Sequence, residues 1–320
     1  IFTVGSDWKG KFDYLNEYCK VIYLERTKGV SSSELRSEKR KLRMTVEGDD
    51  FLGTKFRNES RFVNGVEIAS ADADAYYLVT TPDKHYEQIK KFLLDGKHVL
   101  CESPIACSGK ECKELFEIAK KQKCVLMEGI KTAYSTAYSR LLLLAKSGEI
   151  GKIVSVDATC TSMRDDLDSL ENKWNSISAW GPTALLPIFQ LLGTNYTDKK
   201  IISHYIDDDK IDFIYPDSVA SIKVAKTAKS EGELIITGTK GYIYVPAPWW
   251  KTDYFEIRYE DPTENKRYFY KLDGEGIRYE IVAFNRSIES GKNYSYIDSK
   301  ISIAISEIIE ACKSNNVIEI

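Results

Sequence analysis

Histidine is scarce in this chain of 320 residues: only His85, His98 and His204 occur, far apart in sequence. Three scattered imidazoles do not make a zinc ligand set, so no metal site is expected. No Cys-x-x-Cys pair occurs among Cys19, Cys101, Cys107, Cys112, Cys124, Cys160 and Cys312. The odd count and the chain length argue for reduced thiols in a cytoplasm and against a disulfide framework. Long apolar runs are missing too. The longest, Leu141–Ala145 and Ala184–Phe189, fall far short of the roughly 20 residues that a bilayer-crossing helix needs, so no membrane partner is expected. Basic residues are not in excess: the net charge is −3, which gives no electrostatic footprint for nucleic acid. The chain opens on Ile1-Phe2-Thr3-Val4-Gly5, a strand entering a turn, without the basic and apolar regions of a signal peptide.

What is present is an ordinary globular composition. Hydrophobic residues make up 43% and charged residues 29%, enough to bury a core and too apolar for disorder. At roughly 150 residues per domain, the length suggests about two domains.

The first forty residues read as a small strand-helix-strand unit. Ile1–Val4 and Val21–Leu24 are short apolar strands, and Phe12, Leu15 and Cys19 between them lie at helical spacing. The segment Gly5-Ser6-Asp7-Trp8-Lys9-Gly10-Lys11-Phe12-Asp13 resembles the G-D-D-W-x-G-K-F-D of glycerol-3-phosphate-type cytidylyltransferases. Arg26-Thr27-Lys28-Gly29-Val30-Ser31-Ser32 is similar to their R-T-x-G-I-S-T-T signature. The resemblance implies that Arg26, Thr27, Ser31 and Ser32 contact a CTP-type nucleotide. An arginine with hydroxyls at a helix N-terminus suits phosphate oxygens. The bland alternative is that Ser31–Ser33 caps a helix over Glu34–Lys41. The family's H-x-G-H motif is absent from this sequence.

From residue 42 onward, strands and helices alternate. Leu42–Val46, Val66–Ala69, Ala75–Val79, His98–Cys101 and Cys124–Met127 read as strands. Helices are expected over Phe51–Phe62, around Tyr86, Ile89 and Leu93, and after the capping box Ser108-x-x-Glu111. This alternation predicts an α/β fold with a Rossmann-like, doubly wound parallel sheet. Glu102 and Glu128 then fall at neighbouring strand ends, on the edge where such sheets bind ligands.

Residues 40 to 320 resemble the Gfo/Idh/MocA family of nicotinamide-dependent sugar and polyol oxidoreductases. Thr80-Thr81-Pro82-Asp83-Lys84-His85 is similar to the family's T-P-x-x-x-H, and Gly96-Lys97-His98-Val99-Leu100-Cys101-Glu102-Ser103-Pro104 to its G-K-H-V-L-C-E-K-P. Met127-Glu128, Ser147–Gly151 and Gly238-Thr239-Lys240-Gly241 follow later family markers. The resemblance implies a bound NAD or NADP, held by Gly48, Gly53, Thr80, Thr81, Pro82, His85, Glu102, Pro104 and Glu128. Packing at the helix entry is the alternative role for His85.

Several positions depart from the family pattern. The fingerprint G-x-G-x-x-G/A falls on Gly48-Asp49-Asp50-Phe51-Leu52-Gly53, with Asp50 in place of the second glycine. A carboxylate there adds bulk and repels pyrophosphate. The proton-donating lysine of E-K-P is Ser103, whose hydroxyl is no general acid near neutral pH. Pro187, Phe189 and Leu191 stand where the family helix carries aspartate, glycine and a histidine or tyrosine. Ala69–Asp74 joins two strands where roughly 40 further residues, a helix and a strand, would separate them in a full dinucleotide domain. With Ser103 in that position, Lys131 and Tyr134 become the other candidates for proton transfer, and Tyr138 lies just beyond.

The second half reads as strands followed by covering helices: Ile153–Thr159, Ile201–Tyr205, Val219–Val224, Glu233–Thr237, Tyr242–Val245, Tyr254–Tyr259 and Arg267–Leu272, then helices around Ile281 and Ile305. The expected result is an α+β domain whose large, mostly antiparallel sheet leaves one face open. In the resembling family such a sheet often pairs protomers, so a homo-oligomer is expected. Trp249-Trp250 beside prolines is either a ligand platform or a cover for the sheet edge. Arg164–Trp174 is expected to be a polar loop.

The expected organisation is a cytidylyltransferase remnant over 1–38, a shortened dinucleotide-binding domain over 39–130 and a substrate or oligomerisation domain over 131–320. Three readings remain. The preferred one is an NAD(P)-dependent oxidoreductase acting on a sugar or polyol, phosphorylated or not, and linked to CDP-activated precursors. The second is a degenerate oxidoreductase fold serving as scaffold for a cytidylyltransferase. The third is a nucleotidyltransferase whose catalytic half lies outside this sequence.

Overall fold

The computed structural model describes residues 1–25, 40–48, 50–163, 176–204, 208–226, 228–313 and 317–319. The chain forms two compact units, Ile1–Lys41 and Leu42–Ile320.

In the first unit, β1 (Phe2–Gly5) pairs in parallel with β2 (Val21–Leu24). The connection is not the α-helix that the spacing of Phe12, Leu15 and Cys19 predicts. It is two short 3-10 turns, Ser6–Trp8 and Asp13–Glu17. Side-chain bonds compete with the helix here: the Tyr23 hydroxyl donates to Asp13 Oδ1 at 2.7 Å and the Val21 amide to Asn16 Oδ1 at 3.2 Å. None of the described residues of this unit is buried, as expected of two strands without a covering layer. The candidate nucleotide residues Arg26, Thr27, Ser31 and Ser32 lie outside the described residues, as does Arg164–Trp174.

The second unit opens with a five-stranded, wholly parallel sheet. Its strands are β3 (Leu42–Gly48), β4 (Val66–Ile68), β5 (Ala75–Val79), β6 (His98–Glu102) and β7 (Leu126–Gly129), in the order β4-β3-β5-β6-β7. Between them run α1 (Asp50–Ser60), α2 (Pro82–Leu94) and α3 (Gly109–Gln122). Ser108 caps α3 by accepting from the Glu111 amide at 3.3 Å, the expected capping box. The link Ala69–Asp74 does join β4 directly to β5, passing from one side of β3 to the other. Arg43 anchors it: its guanidinium donates to Ala71 O at 2.9 Å and its amide to Asp74 Oδ2 at 3.1 Å.

After α4 (Thr136–Lys146), β8 (Ile153–Thr161) and α5 (Ser176–Leu192) begin the second layer. The sheet is completed by β9 (Asp198–His204), β10 (Asp208–Ile214), β11 (Val219–Ala225), β12 (Leu234–Gly238), β13 (Tyr242–Val245), β14 (Tyr254–Arg258), β15 (Lys266–Phe269) and β16 (Ile318–Glu319). Its nine strands run β15-β14-β13-β12-β8-β11-β10-β9-β16, antiparallel except for β8/β11 and β9/β16. One face, with Val156, Ile222, Ile236, Ile243 and Ile257, is fully buried, and α5 lies across it. The alternate residues, among them Asp157, Ser221, Tyr244 and Arg258, form the other face, where the Arg258 guanidinium sits 4.4 Å from the Tyr244 ring centroid. Trp249 is fully buried and donates to Thr159 O at 3.0 Å, so it covers the sheet.

Two helices close the chain, α6 (Ile277–Ser290) and α7 (Ser299–Ala311). The latter packs on both α3 and α5, binding the two layers together. Glu310 on α7 accepts from the Gly109 amide at 3.1 Å, and a Cβ at Gly109 would lie 2.3 Å from Glu307 Cγ. A larger residue there would have to displace the Glu307 side chain.

Phe56 on α1 is fully buried and stacks on Tyr77 of β5 at a centroid distance of 3.8 Å. Replacing it with alanine removes this contact and leaves a cavity beneath α1. Phe56→Ala should cost about 3–5 kcal/mol in urea unfolding, and a loss below about 1 kcal/mol would show that the α1–sheet contact is not part of the cooperative core.

Candidate active site

Adjacent parallel strands deliver acidic residues to one edge of the five-stranded sheet. Glu102 ends β6 and pairs with Gly129, the residue after Glu128 on β7. The Tyr77 hydroxyl donates to Glu102 Oε1, and the Ser103 hydroxyl donates to Glu128 Oε1. A third carboxyl arrives from α6: Glu280 is 1% exposed, and neither of its oxygens has a hydrogen-bond partner. It comes close to Gly129, where a Cβ would stand 3.5 Å from Glu280 Oε1.

Burial dominates the electrostatics of this cluster. Desolvation pushes the Glu280 pKa well above the usual carboxylate range, and the nearby Glu102 pushes it further. Desolvation also raises Glu102, against the Tyr77 hydrogen bond and the Lys131 charge. Glu128 is raised by burial and pulled back by the Ser103 and Ser302 hydroxyls and the Ile105 amide. Tyr77 is pushed well up by burial and by Glu102 and Glu280, so its phenol keeps its proton. Burial thus favours the protonated forms in this cluster, and the Lys131 charge opposes it at both Glu102 and Glu280.

The fingerprint glycines have identifiable roles. Gly48 has φ +117°, and a Cβ on it would lie 2.5 Å from the Val79 carbonyl. At Gly53 a Cβ would press on Val46 Cγ1 at 2.9 Å, so this glycine sets the spacing of α1 from β3. Asp50 is the first residue of α1. Gly48 thus lets the end of β3 approach the backbone at the end of β5, and the N-terminus of α1, where a pyrophosphate would sit, begins with Asp50 in place of a glycine. The adenosine side is sparser: β4 is followed by Ala69 and Ser70, without a charged side chain to select the ribose.

The other expected site residues divide. Pro82 starts α2 and is buried, the Thr80 hydroxyl donates to Gln88 Oε1 at 2.5 Å, and Thr81 is the N-cap of α2. His85 is fully buried, with Nδ1 2.6 Å from Pro104 O and Nε2 3.0 Å from Thr80 O. Burial lowers its pKa against both carbonyls. A neutral ring donates to only one of them, and its role is to tie the start of α2 to Pro104. Tyr134 is engaged elsewhere: its hydroxyl is 3.0 Å from Ser295 Oγ and its ring stacks on Tyr296, while burial and the nearby Glu280 raise its pKa. Ser103 is engaged with Glu128, which leaves Lys131 as the cation at the cluster. Gln190 on α5, beside Leu191, is occupied by the Tyr138 hydroxyl at 2.8 Å.

Sequence reasoning passed over Glu280, Glu275, Lys55, Lys251 and Tyr77. A signal existed for Glu280: it falls on the apolar stripe Ile277, Ile281, Phe284 of α6, where a carboxylate has no structural reason to be. Glu275 is flanked by Gly274 and Gly276, and all three have positive φ.

The family model GFO_IDH_MocA, described as an oxidoreductase family with an NAD-binding Rossmann fold, matches residues 47–130. The chain is 41% identical over 76 residues to scyllo-inositol 2-dehydrogenase (NADP(+)) of Bacillus subtilis, which is 23% of each chain. It is 57% identical over 37 residues to glycerol-3-phosphate cytidylyltransferase of Bacillus spizizenii, 12% of this chain and 29% of that one. The chain therefore spans less than a third of the length of these curated relatives. The fold is that of the 3-ketoreductase KijD10 from Actinomadura kijaniata, crystallised with NADP and TDP-benzene: TM-score 0.73 at 16% identity, over 88% of this chain and 99% of that one. Together these matches support a Gfo/Idh/MocA oxidoreductase domain in this chain.

Glu280 gives a test with a definite sign. Its folded pKa lies above the value of about 4.3 for an unfolded chain. The folded state therefore holds this proton more tightly. The stabilisation is complete below about pH 4.3 and is lost as pH rises toward the folded pKa. Thermal melts should show Glu280→Gln at least as stable as the parent at pH 8, with the advantage gone near pH 4. Parallel curves for the two proteins would mean that Glu280 does not titrate differently in the fold.

Proposed function

We propose that the chain is an NAD(P)-dependent oxidoreductase acting on a sugar or polyol. The carrying observation is the shared edge of the parallel sheet: the Gly48 approach at one strand end, and Glu102, Glu280 and Lys131 beside it. Gly48, Gly53, Thr80, Thr81, Pro82 and the Glu102–Pro104 turn, supported by His85 and Glu128, would hold the dinucleotide. When bound, the dinucleotide supplies or accepts the hydride.

The chain's own residues handle the proton. Lys131 is the group that faces substrate oxygen, in place of the lysine that Ser103 replaces. Glu102 and Glu280 sit behind it as a proton reserve, and Tyr77 fixes the orientation of Glu102. General acid–base groups contribute roughly 10²–10⁴-fold. The division into a dinucleotide part through residue 130 and a substrate part beyond it belongs to this proposal. So does self-association through the outer face of the nine-stranded sheet. A phosphorylated polyol and a link to CDP-activated precursors are supported by the short cytidylyltransferase-like segment.

A second reading is favoured by Asp50 at the start of α1 and by the engagement of Ser103 with Glu128: a scaffold that has lost cofactor binding. Titration with NADH and NADPH, followed by nicotinamide fluorescence, separates the two. The oxidoreductase reading predicts saturable binding of both, with affinities within about tenfold because Ala69 and Ser70, directly after β4, carry no charge to discriminate the 2′-phosphate. Absence of binding at millimolar cofactor would favour the scaffold. In a polyol oxidation assay, Lys131→Ala should lower kcat/KM by about 10²-fold or more, and full activity would remove Lys131 from the mechanism.

A further inference from the structure

Three lysines from separate parts of the fold converge on one carboxylate. Lys55 Nζ, from the second turn of α1, and Lys131 Nζ, from the turn after β7, each lie 2.6 Å from Glu275 Oε2. Lys251 Nζ, from the turn before β14, lies 3.5 Å from Glu275 Oε1. All four side chains are half-buried, with 24% to 33% of their surface exposed. The group is therefore sheltered yet reachable from solvent.

Charge does not balance among the described residues there: three ammonium groups face one carboxylate. The Lys131 charge also acts on Glu102 and Glu280, whose charged forms burial disfavours. The Lys55 pKa is lowered, by burial first and then by the Lys131 and Lys251 charges, which Glu275 only partly offsets. Glu275 loses hydration, yet hydrogen bonds from Lys131 and Lys55 hold its pKa at about 2. An excess of two charges matches a phosphate monoester, which carries roughly −1.5 to −2 at neutral pH. The first turn of α6, directly after Glu275, has no side-chain cap, so its amide dipole favours an anion at the same place.

The backbone is built to hold Glu275 in this position. Gly274, Glu275 and Gly276 have φ of +63°, +51° and +94°. A Cβ at Gly276 would lie 2.1 Å from Lys131 O, so the turn is pressed against the chain that carries Lys131. Such a φ is uncommon for a residue other than glycine.

We propose that Lys55, Lys131 and Lys251 form a binding subsite for a phosphate group, and that Glu275 occupies it as an internal stand-in until the ligand displaces it. Lysines act on phosphate as compact point charges, without the fork geometry of arginine, so the subsite selects charge more than shape. The phosphate belongs either to a phosphorylated sugar or polyol or to the dinucleotide, an assignment that rests on the oxidoreductase reading. The phosphate site itself does not depend on it.

The test is calorimetric titration of the full chain with inorganic phosphate, without cofactor, at low ionic strength. Glu275→Gln removes the stand-in and should tighten phosphate binding by about tenfold relative to the parent. Lys251→Ala should weaken it by a similar factor. Should the three unpaired lysines of Glu275→Gln unfold the chain, as circular dichroism would reveal, Lys251→Ala and Lys55→Gln carry the test alone. Phosphate binding that none of these substitutions changes, or no binding to folded Glu275→Gln, overturns the subsite. Displacement of phosphate by NADH assigns the subsite to the cofactor. Displacement by sorbitol 6-phosphate and not by sorbitol assigns it to the substrate. Phosphate binding without any dinucleotide binding would uphold the subsite and reject the oxidoreductase reading, and the reverse pattern would do the opposite.

Discussion

A carboxyl group removed from water must keep its proton or find a partner, and this constraint organises the second unit. Parallel strands β6 and β7 bring Glu102 and Glu128 to the same edge, and α6 brings the buried Glu280 up to Gly129. Each carboxyl is met differently. Glu128 is hydrogen-bonded by Ser103, Glu102 by Tyr77, and Glu280 by nothing. A fully buried acid without a hydrogen bond destabilises the fold unless it stays protonated. Residues that serve packing alone do not need such a group, so the cluster points to proton chemistry at this edge.

The same edge meets the constraint from the other side through lysine. Lys131 is ion-paired with Glu275 and its charge also acts on Glu102 and Glu280, so one ammonium group links the buried acids to the lysine cluster. Contributions from α1, from the turn after β7, from the turn before β14 and from the start of α6 meet there. The lysine cluster therefore exists only when the parallel sheet and the antiparallel layer are assembled together. The contact of α7 with both α3 and α5, close at Gly109, holds that assembly.

Much of the fold was legible because it follows from local pattern. The alternation of strands and helices from Leu42 to Gly129 gave the parallel sheet, the Ser108-x-x-Glu111 box gave the start of α3, and the brevity of Ala69–Asp74 gave the direct β4–β5 link. Failures came where local pattern was overruled. Phe12, Leu15 and Cys19 have helical spacing, but Asn16 and Asp13 bind neighbouring groups and the segment forms 3-10 turns. Strand β10 was passed over because Asp208, Asp209, Lys210 and Asp212 mask the apolar Ile211 and Phe213, which reach the core. In the site, the strand-end acids were readable from position. Glu280 was hidden by its apolar neighbours on α6. The convergence of Lys55, Lys131 and Lys251 on Glu275 depends on residues up to some 220 apart in sequence, and no local signal marks it.

The chemistry at this edge requires a carboxyl group that keeps its proton in the folded protein at neutral pH. Infrared difference spectra between the parent and Glu280→Gln at pH 7 read this directly. A protonated carboxylic acid has a carbonyl stretch well separated from the carboxylate bands. The account predicts that this stretch is present in the parent and lost in the variant. If the difference shows only carboxylate bands, Glu280 is ionised in the fold, and the edge of the parallel sheet is not a proton store.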